Sequence, residues 1–137
     1  MKKSILFILC AVITVGFVSC SKVGPESEAK KIAADTLTLF DTTTAKLEKA
    51  QTAKEASDAL VAYAADMKKI QERSNEFQKK YPDFSASAAN NDKEMQKKAE
   101  ASAAAFSGAM TKTMMKYAGS KEILDAVMKL SEMAPKK

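Results

Sequence analysis

Apolar residues recur along most of this chain at alternating spacings of three and four, the period of an α-helix with one buried face. The clearest run is Ala56, Leu60, Tyr63, Met67, Ile70, Ser74, Phe77 and Tyr81, which keeps the alternation without a miss over about seven turns. Its opposite face carries Asp66, Lys68, Lys69, Glu72, Arg73, Glu76, Lys79 and Lys80, a solvated surface, and Pro82 ends it by forcing the preceding residue out of helical geometry. Upstream, Ala33, Leu37, Phe40, Thr44, Leu47 and Gln51 trace a second stripe. Gly24 and Pro25 suit its start as N-cap and first helical residue, and Glu26 and Glu28 complement the helix dipole. The β-branched run Thr42 to Thr44 weakens this helix and predicts a kink or early break near Asp41. A turn falls between Gln51 and Lys54, with no Gly or Pro to mark it.

Residues Tyr81 to Asn91 read as a loop, with Asn90 or Asn91 as the next N-cap. Phe84 within it is expected to plug the end of the core, and is also a candidate partner-binding side chain because loops commonly carry function. A third helix is predicted from about Asp92 to Ala118, with Met95, Ala99, Ser102 or Ala103, Phe106, Met110, Thr113 or Met114, and Tyr117 inward. Ala101, Ala103, Ala104, Ala105, Gly108 and Ala109 give it a small-residue surface against which a neighbour could pack closely. Gly119 is a C-cap, Ser120 a new start, and Ile123, Leu124, Val127, Met128 and Leu130 line a short fourth helix that closes before Pro135. Amphipathic helices cannot bury their stripes singly, so the expected fold is all-α, an antiparallel bundle of three long helices plus a short C-terminal one. The seam of the second helix could be buried within one chain or between two, which leaves self-association open.

The N-terminus departs from this pattern. Lys2 and Lys3 precede an uncharged apolar run from Ile5 to Val18 that stops at Ser19-Cys20, the layout of a cleavable export signal. A spanning helix needs about 18 or more apolar residues. Ser4 to Ser19 is sixteen, diluted by Ser4, Thr14, Gly16 and Ser19. An ordinary secretory cleavage site also fits poorly, because bulky Phe17 and Val18 occupy the approach. Phe17-Val18-Ser19-Cys20 resembles the lipobox of bacterial lipoproteins, with Phe17 where that family most often has leucine. The resemblance implies cleavage before Cys20, a diacylglyceryl thioether on its sulfur, and two or three acyl chains such as palmitate on the mature cysteine. The chain then divides into a signal peptide at 1–19, a lipidated tether at 20–24 and a bundle domain at 25–137. Ser21, with no aspartate there, resembles lipoproteins sorted to the outer membrane, which implies a place in the cell envelope facing the periplasm.

Removal of the signal leaves 118 residues, one small domain, with 20 basic and 17 acidic side chains, a net charge of +3. That mild, interspersed excess argues against a nucleic-acid partner. Cys10 leaves with the signal, so the domain has no disulfide and must hold together by packing. The chain has no histidine, which removes the usual general base and the commonest metal ligand together.

What chemistry remains is sparse. Met95, Met110, Met114, Met115, Met128 and Met133 crowd the last third, and thioethers suit Cu(I). Without His or a free Cys to complete a site, they read instead as core filling or as an adaptable apolar groove for a lipid or an unfolded segment. Met115, adjacent to Met114, cannot share its face and is expected outside. Most carboxylates have a basic partner three or four residues away, as in Lys31 with Asp35, Lys121 with Asp125 and Asp125 with Lys129, and read as surface pairs. Lys137 matches the terminal lysine of murein-type lipoproteins, but Pro82 and Gly119 contradict the unbroken coiled coil of that group. The sequence therefore predicts no enzyme, no cofactor and no metal. It predicts a lipid-anchored helical binding module with an envelope protein partner, with Phe84, Met114 and Met115 as candidate contacts. The second reading is a carrier or holdase chaperone with a Met-lined groove.

Overall fold

The computed structural model describes residues 24–84 and 93–132. These are helical almost throughout and include no strand: α1 is Pro25–Lys49, α2 Ala53–Lys80, α3 Lys93–Lys116 and α4 Lys121–Glu132. The expected signal peptide, Cys20, the loop residues from Ser85 to Asn91, and Met133, Pro135 and Lys137 lie outside the described residues.

Gly24, in extended geometry, caps α1, and its carbonyl accepts from the Ser27 and Glu28 amides at 3.0 and 3.4 Å. The helix runs unbroken through Thr42 to Thr44, against the expected interruption near Asp41. Tertiary packing overrides the weak local propensity there, since Thr43 is buried. Farther up, the Thr36 and Thr38 hydroxyls donate to the Ile32 and Ala34 carbonyls at 2.8 and 2.9 Å, which satisfies them within the helix. The buried face is Ala29, Ile32, Thr36, Leu37, Phe40, Thr43 and Leu47. Ala33 and Thr44 are only half-buried and Gln51 is exposed, a shift of about one residue from the expected stripe. The shift follows from α1 having two neighbours, α2 and α3, whose contacts broaden and rotate its buried arc.

Thr52 caps α2: its hydroxyl accepts from the Glu55 amide at 3.2 Å while the Glu55 carboxylate accepts from the Gln51 amide at 2.8 Å. This variant of the capping box, with Glu55 reaching one residue past the N-cap to Gln51, fixes the turn that no Gly or Pro signals. The α2 seam is buried at Ala56, Leu60, Tyr63, Met67, Ile70 and Phe77, with Ala59 and Ala64 added and Ser74 and Tyr81 half-buried. The helix stops at Tyr81, directly before Pro82.

α1 and α2 run in opposite directions, as the cross-helix pairs Asp35–Arg73 (2.5 Å) and Glu28–Lys80 (3.1 Å) record. α3 runs alongside α1 in the same direction. Phe106 meets Phe40 near the middle, and at the end Lys116 Nζ and the Tyr117 hydroxyl each donate to the Ala50 carbonyl at 3.0 Å. α4 packs on the first half of α2, where the Ser57 hydroxyl donates to the Glu122 carbonyl at 3.0 Å. The resulting helical bundle has two core clusters. The larger draws on all four helices and centres on Phe40, Tyr63 and Phe106, whose rings lie 4.6 to 6.2 Å apart. The smaller, of Ala29, Ile32, Ile70 and Phe77, sits at the end where α1 begins and α2 finishes.

Two expectations about the later helices are corrected. On α3, Ala103 and Ala109 are buried, but Ala101, Ala104, Ala105 and Gly108 face solvent, so only part of the small-residue surface meets a neighbour. On α4, Ile123 and Ala126 are buried and Val127 and Leu130 half-buried, whereas Leu124 and Met128 are 57% and 62% exposed. At about 100° per residue, 123, 126, 127 and 130 share one arc, and 124 and 128 fall roughly 100–150° away from its centre. Gly119, with φ of 85°, makes the left-handed turn between α3 and α4.

Candidate functional site

The candidate contacts fall at opposite ends of the bundle. Phe84 follows the Tyr81–Asp83 turn, its amide donating to the Tyr81 carbonyl at 3.1 Å. Its ring meets Phe77 edge-on at 5.1 Å and is half-buried against the smaller cluster, in keeping with the expected plug. Met114 is half-buried against the larger cluster, and its neighbour Met115 is 75% exposed. The Phe84 cluster includes Ile32, while the turn after Met115 is bonded to Ala50. The eighteen residue steps along α1 from Ile32 to its cap Ala50 put the sites about 27 Å apart. They do not form one surface. With Met115, the large exposed apolar residues are Leu124 and Met128, one helical turn apart on α4. Sequence reasoning had Leu124 and Met128 inward, because nothing in the chain states which flank of a short helix meets α2.

Several charged side chains pair within a helix or between helices. Arg73 of α2 takes Asp35, where spacing had suggested Lys31. Hydrogen bonding and charge from Asp58 and Asp66 raise the Lys54 and Lys69 ammonium groups above the ordinary lysine value. Lys80 is raised by Tyr81 first and Glu28 second, and the Ser120 hydroxyl, donating at 2.6 Å, lowers the Glu122 carboxyl. Each of these shifts strengthens the charged form, the opposite of what a poised acid or base at neutral pH requires. The Tyr63 phenol is raised by burial. Among the described residues no three His, Cys, Asp or Glu side chains gather as a metal site, and no helix is long and apolar enough to cross a membrane.

Among the described residues, two adjoining open grooves run along the α1–α2 seam. One, of about 340 Å³, is walled by Asp35, Thr38, Lys46, Asp66 and Arg73 over a floor that includes Leu39 and Ile70. The other, of about 410 Å³, lies beside Lys46, Lys49, Glu55 and Asp58. Neither is lined by methionine: Met110 and Met114 instead pack against the larger core cluster. No protein-family model matches the chain, and no curated protein or solved structure is found to be similar to it.

Proposed function

We propose that this protein is a lipid-anchored component of the cell envelope that works as a small helical binding module for another envelope protein. The observation that carries the reading is the N-terminal segment: Lys2 and Lys3, the apolar run from Ile5 to Val18, and Phe17-Val18-Ser19-Cys20. The start of α1 at Pro25, with Gly24 as its cap, supports it by leaving only a short tether after Cys20. In this reading residues 1–19 are removed, the acylated Cys20 holds an antiparallel bundle of three long helices and a short fourth at the outer membrane facing the periplasm, and the work is positional. A single acyl chain binds a bilayer marginally, and two or three, at about 0.8 kcal/mol per buried methylene, hold it stably.

Labelled fatty acid should appear on the wild-type protein in cells and vanish from Cys20→Ala. Unlabelled wild type removes the anchor from the proposal. Cross-linking in intact cells then addresses the partner: one abundant envelope protein surviving denaturing washes is the expected product. The carrier or holdase reading is kept because Met115, Leu124 and Met128 are exposed. A broad smear of cross-linked proteins, with strong uptake of a hydrophobic dye by the folded domain, would transfer the proposal to that reading.

A further inference from the structure

Acylation of Cys20, taken from the reading above, has a geometric consequence for the bundle. Three residues lie between Cys20 and Gly24, and the four residue steps, fully extended, span at most about 14 Å. The start of α1 is therefore held close to the head groups. The Glu28–Lys80 pair brings the end of α2 to the same place, so Lys79, Tyr81 and Pro82 stand beside the start of α1. The opposite end, where Ala50 receives Lys116 and Tyr117, lies about 33 Å farther along α1 from Glu28.

The near end shares the ion pairing of the flanks, in Glu28–Lys80, and differs from them in its aromatic side chains. The flanks are covered with charge pairs such as Lys54–Asp58 and Asp66–Lys69, which lose hydration against a bilayer. The near end offers half-buried Tyr81 and Phe84 and exposed Pro82, with the Lys80 ammonium 5.0 Å from the centre of the Tyr81 ring. Tyrosine is a residue of membrane interfaces because its ring is amphipathic, and lysine stems cover apolar surface while keeping the charge in water. Glu26, Glu28 and Asp83 outnumber Lys79 and Lys80, so the contact at this corner is not one driven by anionic lipid.

We propose that the end of the bundle formed by the start of α1 and the finish of α2 docks on phospholipid head groups through Tyr81, Pro82 and Lys79. The bundle then stands on the membrane and holds Met115 and the start of α4 away from it.

The chain contains no tryptophan, so a single introduced Trp is a unique reporter. Tyr81→Trp and, because Tyr81 packs on Phe77, the exposed Asp83→Trp report the near end; Met115→Trp reports the far end. Each is placed in the chain that begins at Cys20, which keeps every described core residue, since the first is Ala29. Its only thiol is coupled to a maleimide lipid in phosphatidylcholine vesicles. The expected result is a blue shift and quenching by brominated lipid at both near-end reporters, little changed by salt, with neither effect at Met115→Trp. Quenching at Met115→Trp, or at none of the three while circular dichroism shows intact helix, overturns the orientation. The chemical coupling supplies the anchor, so a failure of fatty-acid labelling in cells would remove acylation without altering this outcome.

Discussion

Two glycines test the fold by the same chemical change with opposite signs. Gly108 lies within α3 on its exposed face, and a Cβ built there meets nothing within 4 Å. Alanine is favoured over glycine in a helix interior by about 0.8–1.0 kcal/mol, so Gly108→Ala should stabilise the protein by roughly that amount. Gly119 also has open space around a built Cβ, but its φ is +85°. The cost of Gly119→Ala is then purely conformational, about 1–2 kcal/mol for the left-handed backbone, partly offset by about 0.4–1 kcal/mol from a stiffer unfolded chain. A net loss of about 1 kcal/mol leaves the two variants separated by about 2 kcal/mol, or on the order of 10 °C in Tm for a domain of this size. Urea unfolding followed by circular dichroism measures both, with the slope expected to be unchanged. If Gly119→Ala is neutral, the left-handed turn between α3 and α4 is wrong. If Gly108→Ala destabilises, and more so at high protein concentration, the exposed face of α3 is covered by a second copy.

Phe106→Ala removes the central ring of the aromatic trio and should cost about 3–5 kcal/mol, a large share of the roughly 5–15 kcal/mol available to a domain; a urea-derived loss below about 1 kcal/mol would contradict the burial of that ring. Burial raises the Tyr63 phenol above its ordinary value of 10.0, so stability is fully present below that pH. Above it the unfolded chain releases a proton that the folded one keeps, and stability falls; Tyr63→Phe should flatten the decline of the urea midpoint between about pH 9 and 11. Lys116 and Tyr117 donate to one carbonyl, that of Ala50. Either Tyr117→Phe or Lys116→Met alone should cost about 0.5–1 kcal/mol, and the double variant more than the sum, because only then is the acceptor left alone. The Thr44 hydroxyl oxygen is buried without a hydrogen-bond partner, so the isosteric Thr44→Val should be neutral or stabilising by about 1 kcal/mol in the same urea assay, and a loss would refute that placement.

Legibility in the sequence followed how completely a helix's own spacing and end signals determine its buried face. The α2 seam was readable residue by residue because its heptad-like spacing never slips and Pro82 gives it a hard stop. α1 was readable as a helix but not in register: contacts on two sides bury Ile32, Thr36 and Thr43, which a single narrow stripe does not include. Its end was marked after all by Thr52-x-x-Glu55, a capping signal that a search for Gly or Pro passes over. Leu124 and Met128 were misplaced for a tertiary reason, since a twelve-residue helix with apolar residues on two flanks is oriented by its landing place on α2. The Asp35–Arg73 pair spans 38 positions and competes with a local pair that spacing alone favours. For the candidate site, Phe84 and Met115 took the positions foreseen for them, while Cys20 falls outside the described residues and rests on its motif.

Several polar side chains of the described bundle serve its fold, within helices and between them. Thr36 and Thr38 satisfy their own helix, Glu55 and Thr52 cap one turn, Lys116 and Tyr117 close one end, and Arg73 and Lys80 tie α1 to α2. The resolved lysine and carboxylate shifts all favour the charged forms. What the bundle leaves unspent is apolar: Met115, Leu124 and Met128, on the α3 end and on α4, both distant from the Phe77–Phe84 cluster. On the proposed reading the anchor fixes one end of the bundle at the bilayer, so those side chains are the ones carried outward to where a partner can reach them. On that reading the work is placement, and the short tether after Cys20 converts a membrane address into an orientation.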